Sequence, residues 1–286
     1  MIIMIKEWLA SYEPKNQEQA FSALREIMQE VALAGLQRSG FFEKAAFYGG
    51  TALRIFYGLD RFSEDLDFSL LSSDPEFSLE PYFKGLVEEF ANVGLQVSIK
   101  EKKKTKGTSI DSAFLKPETV WRELILEGMV LEAGLSAMVG LKIKLEVDRQ
   151  PPLRFQTEEK LLIKPFSFYV KCFTKSNLFA GKMHALLFRK WKNRVKGRDW
   201  YDLEWYIRKG VPLNLDHFLA RAQDTGNWTN STIEKEELLD LLKKRIDSVS
   251  MEAVKEDIVK FIPDNKKLDI WSKKYFLELI EQLKFE

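Results

Sequence analysis

The sequence predicts an α+β protein in which a half with a mixed sheet is followed by a mainly helical half. The segments LQVSIK (95–100) and LKIKLEVD (141–148) alternate apolar and polar residues, which is typical of strands. The segment 17–38 instead has apolar residues at helical spacing, which indicates a long amphipathic helix. Helical spacing becomes nearly continuous after about residue 175, so we predict one domain over residues 1–174 and a second over residues 175–286.

Further strands and helices of the first half follow from short local patterns. Pro165 is expected to interrupt the last strand-like segment, because proline cannot donate a hydrogen bond to a neighbouring strand. In chain order these elements are a strand through Phe47 and Tyr48, a helix from Thr51, a strand over 66–71, a helix over 79–93, and one or two strands over 160–173.

Glycine and proline are expected to divide the helical half into separate helices. The dividing residues are Gly210, Pro212, Gly226 and Pro263. The chain also has one run of like charge, the lysine-rich segment 100–106, which we interpret as a solvated loop.

Composition excludes several kinds of site. The chain has 286 residues with 44 basic and 43 acidic side chains, so nucleic-acid contact would require a local basic patch. A single cysteine, Cys172, excludes an intramolecular disulfide and a cysteine-based zinc cluster. Only two histidines are present, so a metal site is expected to use carboxylates and to bind a hard cation such as Mg²⁺.

The apolar N-terminal segment is not expected to enter a membrane. Lys6 and Glu7 interrupt it, it is too short to span a bilayer, and no signal-peptide pattern accompanies it. No other segment approaches the length of a transmembrane helix. We therefore expect a cytoplasmic protein without a membrane partner.

Gly49, Gly50 and Thr51 form a candidate phosphate-binding turn. Glycine has no Cβ, so the backbone can approach a ligand closely. The helix that begins at Thr51 offers unbonded N–H groups and the positive end of its dipole to an anion. This combination suits a triphosphate, although a Gly-Gly pair before a helix is also an ordinary turn.

Paired carboxylates follow at Asp65 and Asp67. Residues two apart in a strand face the same side, so the two carboxylates point together while Leu66 and Phe68 point into the core. Adjacent carboxylates repel each other unless a cation lies between them, and a hard divalent ion meets that requirement. An EF-hand is excluded because its later acidic ligand and its glycine are missing. An exposed polar strand face would have the same spacing.

Further carboxylates that could bind metal or accept a proton from an attacking hydroxyl occur on another predicted strand. The strand LKIKLEVD has two candidates on its polar face. Glu146, flanked by two apolar residues, is the first choice and Asp148 the second. A solvated strand face would show the same pattern.

Charged residues suited to a polyphosphate occur in the helical half. Lys182 and Arg189 are seven residues apart and are predicted to share a helix face, where they would neutralise phosphate groups. Asp199 and Asp202 follow at a spacing of three, and one of them would orient a basic residue or act on the acceptor. His184 is interpreted as a structural residue.

Together these blocks resemble the AbiEii/AbiGii toxin family of nucleotidyltransferases, within the DNA polymerase β superfamily. The resemblance covers residues 47 to about 207 and implies a polymerase β-like domain followed by a helical domain. It also implies a toxin of a toxin–antitoxin or phage-defence pair, with a cognate antitoxin as partner. The blocks are, in the family's order, GGTALR (49–54), RFSEDLDF (61–68), LKIKLEVD (141–148), the block from Lys182 to Arg189, and RDWYDL (198–203).

The resemblance implies the substrates and a role for each matching residue. The donor would be a nucleoside triphosphate (NTP), the metal Mg²⁺ or Mn²⁺, and the acceptor RNA, specifically the 3′ end of tRNA. Metal would be bound by Asp65 and Asp67, and the strand pattern adds Glu146 as the first choice for a third ligand, ahead of Asp148. The nucleotide would be bound by Gly49, Gly50, Thr51, Arg54, Lys182 and Arg189. Catalysis would involve Asp67, Glu146, Lys182, and either Asp199 or Asp202.

Two alternatives stay open at this point. The same fold could modify a protein side chain or a small molecule such as an aminoglycoside, but a cationic substrate requires an acidic pocket that the even charge does not favour. The chain could instead be a nucleotide-binding or partner-binding module without catalysis. The complete set of carboxylates, together with Lys182, argues against such a degenerate site.

Overall fold

The computed structural model describes residues 2–101, 119–126, 141–189, 195–262 and 264–286. The chain divides into two compact units, and segments of the first half of the sequence belong to both. The domain boundary near residue 174 stays a prediction. Unit 1 comprises Met1–Ala52, Phe62–Pro151 and Thr157–Cys172, and unit 2 comprises Leu53–Arg61, Pro152–Gln156 and Phe173–Glu286.

Unit 1 is built on a mixed sheet. Its strands are β1 (Ala45–Tyr48), β2 (Asp65–Leu70), β3 (Val97–Glu101), β4 (Thr119–Leu126), β5 (Lys142–Asp148), β6 (Thr157–Leu162) and β7 (Phe168–Phe173). Among the described residues the strand order is β3-β4-β5-β2-β1-β7-β6. Strand β2 is antiparallel to β1 and parallel to β5, which makes the sheet mixed. The predicted α+β class with a mixed sheet is therefore confirmed.

Most strands lie where the alternation of residues predicts them. The segment 160–173 contributes to two strands, β6 and β7, with Pro165 between them. Strand β4 was not predicted. The lysine-rich run, interpreted as a loop, begins inside β3 with Lys100 and Glu101, and its residues 102–106 lie outside the described residues.

Helices α2 and α4 of unit 1 pack against each other and contact strands of the sheet. The helix predicted over 17–38 is confirmed as α2, and the Asn16 side chain caps its start by accepting from the Gln19 N–H. Helix α2 packs against α4 and contacts β5. The helices that lie in or begin in this unit are α1 (Ile2–Ala10), α2 (Gln17–Arg38), α3 (Gly49–Tyr57) and α4 (Phe83–Asn92).

Unit 2 is mainly helical, as predicted for the second half. Its helices are α5 (Lys175–Phe188), α6 (Gly197–Arg208), α7 (Leu215–Asp224), α8 (Lys235–Ser248), α9 (Met251–Ile258) and α10 (Lys273–Ile280). Gly210 and Gly226 follow the ends of α6 and α7 with φ of 62° and 68°, whereas Pro263 lies outside the described residues. Helix α6 packs against α5, α9 and α10, so polar residues on it are buried with apolar ones. In the part of the chain that the structure describes, no helix combines the length and apolar character needed to cross a membrane.

Candidate functional site

The junction of β1 and α3 places Gly49, the first residue of α3, against the Asp67 side chain. Strand pairing places Tyr48 opposite Asp67, so the residue that follows Tyr48 lies beside that carboxylate. Gly49 has φ of 84°, and a Cβ added there would overlap Asp67 Oδ2 and lie 3.1 Å from Asp67 Cγ. Glycine is required at this position both for the left-handed backbone and for room beside the carboxylate.

Thr51 ties the start of α3 to β2. Its side chain is fully buried, and its hydroxyl donates to the backbone carbonyl of Asp65. The Thr51 hydroxyl is therefore occupied, and the group that Thr51 can offer to a phosphate is its backbone N–H. The first N–H groups of a helix have no intrahelical partner. Gly50, also buried, offers the same kind of group in the first turn.

Three carboxylates gather on the polar face of β2 and β5. The parallel pairing of these strands places Asp65 opposite Lys144 and Asp67 opposite Glu146. These four side chains are partly buried, whereas their apolar neighbours on the other face, such as Leu66, are buried. The geometry therefore brings Glu146 beside Asp67.

The strand register also separates the two candidates for the third carboxylate. Asp148 lies opposite Ser69, two positions further along the strand than the Asp67–Glu146 pair. It is buried, and one of its oxygens accepts from the backbone N–H of Gln150 at 3.2 Å. This arrangement favours Glu146 over Asp148 as the carboxylate that accompanies Asp67.

Lys144 supplies positive charge to this acidic face, a role that sequence reasoning missed. Its ammonium forms an ion pair with Glu146. Burial alone would lower the pKa of Lys144, but the hydrogen bond to Glu146 and the negative charges of Glu146, Asp65 and Asp67 raise it. The alternation of LKIKLEVD shows that Lys144 and Glu146 share a face, but it does not show which strand lies beside them.

The donor set at this face fits a hard divalent cation. Three carboxylates and one ammonium leave an excess of two negative charges, which one divalent ion balances. Within the described residues, no group of three or more histidine, cysteine or acidic side chains is arranged to hold a metal ion. Carboxylates are the ligands that a hard divalent cation prefers, so Asp65 and Asp67 are the candidate ligands on this face, whereas Glu146 is paired with Lys144.

We expect Lys144→Met to increase the affinity of the protein for a divalent cation by roughly tenfold, or about 1.4 kcal/mol. The substitution removes the ammonium that competes with the metal for the carboxylates. Titration of the metal-free protein with Mn²⁺ measures the effect. Lys142→Met, on the same strand face but exposed, removes an equal charge and is the matched control. Unchanged affinity in the Lys144 variant would contradict this role for Lys144.

Gly49→Ala is expected to destabilise the protein and to weaken Mn²⁺ binding. Alanine would have to adopt the left-handed backbone, which costs about 1–2 kcal/mol, and its methyl would also displace Asp67. Gly58→Ala is the matched control, because Gly58 has φ of 77° but no atom within 4 Å of an added Cβ. Thermal melting and Mn²⁺ titration measure both effects. Equal losses in the two variants would show that the contact with Asp67 has no consequence.

In unit 2, Asp202 lies at the centre of a buried network of charges. Arg61 donates from Nε to Asp202 Oδ1 at 2.6 Å and from Nη2 to Asp202 Oδ2 at 2.7 Å. Lys182 Nζ lies 2.8 Å from Asp202 Oδ2 and 3.8 Å from Asp199 Oδ1. Arg61 and Asp202 are 1% and 0% exposed, whereas the Lys182 side chain is 20% exposed. Of these groups, Lys182 is the one that reaches solvent.

The network keeps Asp202 ionised. Burial alone would raise the pKa of Asp202, but the charges and hydrogen bonds of Arg61 and Lys182 lower it to about 2. A carboxylate with so low a pKa and with both oxygens engaged is a poor proton acceptor. Of the two aspartates that the sequence left open, Asp202 is therefore suited to orient Lys182, and Asp199 remains the candidate that would act on the acceptor.

A cluster of positive charge surrounds the start of α6. Helix α5 ends one residue before Arg189, which is its C-cap with ψ of 118°, so the predicted helix face of Lys182 and Arg189 is not continuous. Burial lowers the pKa of Lys196 to about 8; Asp199 opposes the shift, and the positive charges of Arg189, Lys182 and Arg198 reinforce it. Such an excess of positive charge suits an anionic ligand.

Arg54 and His184, to which the sequence assigned a nucleotide-binding and a structural role, each form a hydrogen bond within unit 2. Arg54, expected to bind nucleotide, belongs to unit 2, where its guanidinium donates to the carbonyl of Leu59 at 3.2 Å. His184 is buried and shares a hydrogen bond of 2.9 Å with Thr225 Oγ1, as expected of a structural residue.

Sequence reasoning missed Arg61, although it opens the RFSEDLDF block. Its partner Asp202 lies 141 positions later, and spacing within a motif does not show so distant a contact. One general rule could have indicated that Arg61 has an acidic partner, because an arginine is almost never fully buried unless it is paired. Using that rule requires knowledge of burial, which one sequence does not supply.

Comparison with solved structures identifies the class of fold. MenT4, a nucleotidyltransferase toxin from Mycobacterium tuberculosis H37Rv, is 14% identical, with a TM-score of 0.53 over 99% of this chain and 97% of that chain. JHP933 from Helicobacter pylori is 19% identical, with a TM-score of 0.50 over 91% of this chain and 89% of that chain. At these identities the likeness establishes the fold, which is that of nucleotidyltransferase toxins.

Comparison with protein families goes further. The family model described as "Nucleotidyl transferase AbiEii toxin, Type IV TA system" matches residues 31–279. Because this match covers most of the chain, the protein belongs to the AbiEii family of nucleotidyltransferase toxins, and the resemblance seen in the motifs is confirmed. A search of curated proteins by sequence found no match.

Proposed function

We propose that this protein uses a divalent cation, Mg²⁺ or Mn²⁺, to transfer a nucleoside monophosphate from an NTP to RNA, with the 3′ end of tRNA as the acceptor. The observation that carries the proposal is the close approach of the Gly49 turn to Asp67, on the strand face that also bears Asp65 and Glu146. A turn that can approach phosphate lies there beside carboxylates that can hold a cation. The family adds that the activity is that of a toxin with a cognate antitoxin.

Asp65 and Asp67 would hold the cation. When bound, the metal neutralises charge that develops on the transferred phosphate and lowers the pKa of the acceptor hydroxyl. The excess of negative charge on this face balances one divalent ion.

The first turn of α3 would bind the phosphate chain. Backbone N–H groups of Gly50 and Thr51 lie at the start of this nine-residue helix, where the positive end of the helix dipole favours an anion. The Thr51 hydroxyl is committed to the Asp65 carbonyl, so it keeps the turn in place beside β2. The backbone, not the threonine side chain, would contact phosphate.

In unit 2, Lys182 and Arg189 would bind phosphate oxygens, as the resemblance implies. Lys182 is suited to this role because Asp202 anchors its ammonium while part of the side chain reaches solvent. Lys196 extends the same cationic cluster. Asp199, at 3.8 Å from Lys182, is the acid that we propose acts on the acceptor.

An assay of label transfer tests the proposal. Purified protein, Mg²⁺ and total tRNA would be incubated with each α-labelled NTP in turn, and we expect one or more of them to label tRNA. Periodate oxidation of the tRNA destroys the 3′-terminal diol and should abolish labelling if the 3′ end is the acceptor. Labelling of oxidised tRNA would contradict that acceptor site, and tight NTP binding without tRNA labelling would contradict tRNA as the acceptor.

A further inference from the structure

Arg61 is a buried cation whose position stability alone does not explain. It is 1% exposed and forms two hydrogen bonds with Asp202, which is 0% exposed. Removing two charges from water is costly, and replacing a buried ion pair with apolar residues of similar volume is often neutral or stabilising. A role in geometry is therefore a better explanation for this pair than its contribution to the free energy of unfolding.

The planar guanidinium of Arg61 fixes the orientation of the Asp202 carboxylate. Two parallel N–H donors meet two carboxylate oxygens at 2.6 and 2.7 Å, so the carboxylate cannot rotate without breaking both bonds. The oxygen that accepts from Arg61 Nη2 also lies 2.8 Å from Lys182 Nζ. The position of the Lys182 ammonium is thus set by an oxygen that Arg61 holds in place.

Arg61 also balances the charge around Lys182. The network contains two cations, Arg61 and Lys182, and two carboxylates, Asp199 and Asp202. Without Arg61 the two carboxylates would outnumber the one remaining cation of the network, which would weaken the attraction of the site for an anionic ligand. With Arg61, one N–H of Lys182 is directed to Asp202, and the other two can bind phosphate oxygens because an ammonium has three donors.

We propose that Arg61 is a positioning residue, which through Asp202 holds the Lys182 ammonium in place to bind a phosphate group of the NTP. This inference rests on the proposed role of Lys182 in binding the triphosphate. It assigns to the first residue of RFSEDLDF a function that its position in the block does not show.

A mutant cycle tests the coupling. The variants are Lys182→Ala, the pair Arg61→Met with Asp202→Leu, and all three substitutions together. The pair replacement removes both buried charges at once, so it leaves neither ion without its partner. Isothermal titration with an NTP whose α–β bridge is non-hydrolysable measures affinity in the presence of Mg²⁺, and thermal melting confirms that each variant is folded.

Lys182→Ala and the pair replacement are each expected to weaken binding by about tenfold, and the triple variant to bind no more weakly than either. A lysine that is no longer positioned contributes little, so its removal then has little further effect. The inference is wrong, and Arg61 has only a structural role, if either of two results is found. One is that the loss of NTP affinity in the triple variant equals the product of the losses in Lys182→Ala and in the pair replacement. The other is that the pair replacement binds the NTP with wild-type affinity.

Arg61→Lys is a second test that does not depend on folding of the pair variant. Lysine keeps the positive charge but cannot form the two parallel hydrogen bonds to Asp202. We therefore expect KM for the NTP to rise severalfold while kcat changes less. The affinity of Arg61→Lys for the NTP should be higher than that of Arg61→Met. Equal KM in Arg61→Lys and wild type would overturn the inference. Because the mutant cycle measures binding by titration, coupled losses in a protein that transfers no label would support the inference while overturning the proposed function.

Discussion

Replacing Asp67 with asparagine is expected to abolish nucleotidyl transfer while the protein stays folded. Asparagine has the same shape but no charge, so the acidic face loses half of the aspartate pair that would hold the metal. A catalytic metal stabilises a transition state by several kcal/mol, and we therefore expect the rate to fall by at least about a thousandfold. Single-turnover transfer of labelled NTP measures the rate, and thermal melting measures the fold.

Glu64→Gln is the matched control for this prediction. Glu64 lies in the same block and carries the same charge, but it pairs with Arg25 at 3.2 Å. Its variant should transfer label at nearly the wild-type rate. Transfer by a folded Asp67→Asn protein would overturn the assignment of Asp67, and an equal loss in Glu64→Gln would show that the effect of Asp67→Asn is a general effect of charge.

Arg61→Met is expected to destabilise the protein by about 3–5 kcal/mol. The substitution leaves the Asp202 carboxylate fully buried, with the Lys182 ammonium as its remaining cation in the network. A buried charge that loses its partner is far more costly than a pair that is removed together. Denaturant unfolding of both proteins at neutral pH, where Asp202 of the wild-type protein with its pKa of about 2 is ionised, measures the difference in the free energy of unfolding.

The pair replacement Arg61→Met with Asp202→Leu provides the control. It should recover most of the stability that Arg61→Met loses, because no uncompensated charge remains in the interior. If Arg61→Met is as stable as the wild type, the buried network does not constrain the fold as described. If the pair replacement is as unstable as Arg61→Met, packing rather than charge accounts for the loss.

Elements with long regular patterns could be predicted from the sequence. Helix α2 occupies the predicted segment 17–38, and β5 lies within one residue of 141–148, because periodic burial over many residues leaves a clear pattern. Strand β4 (Thr119–Leu126) was missed, and so was the strand order, because the pairing of strands depends on contacts between distant segments.

The parts of the site that depend on local spacing were also predictable. Two aspartates at a spacing of two share a strand face, and a glycine before a helix leaves room for a ligand or, as found here, for a neighbouring carboxylate. These features need no knowledge of tertiary structure. They account for Asp65, Asp67 and Gly49.

The choices that the sequence left open depend on long-range contacts. The register of β2 against β5 places Glu146 beside Asp67 and Asp148 beside Ser69, and a different register would have reversed that order. The contact of Asp202 with Arg61 distinguishes it from Asp199. Neither relation appears in the local spacing of residues.

Parallel reactions with α-labelled and γ-labelled NTP test the central claim most directly. Nucleotidyl transfer attaches the α-phosphorus to the acceptor and releases the β and γ groups as pyrophosphate. We predict that α label appears on RNA and that γ label appears only in pyrophosphate, both requiring Mg²⁺ or Mn²⁺ and Asp67. Gamma label on the acceptor would contradict the account, because it would show phosphoryl transfer rather than nucleotidyl transfer.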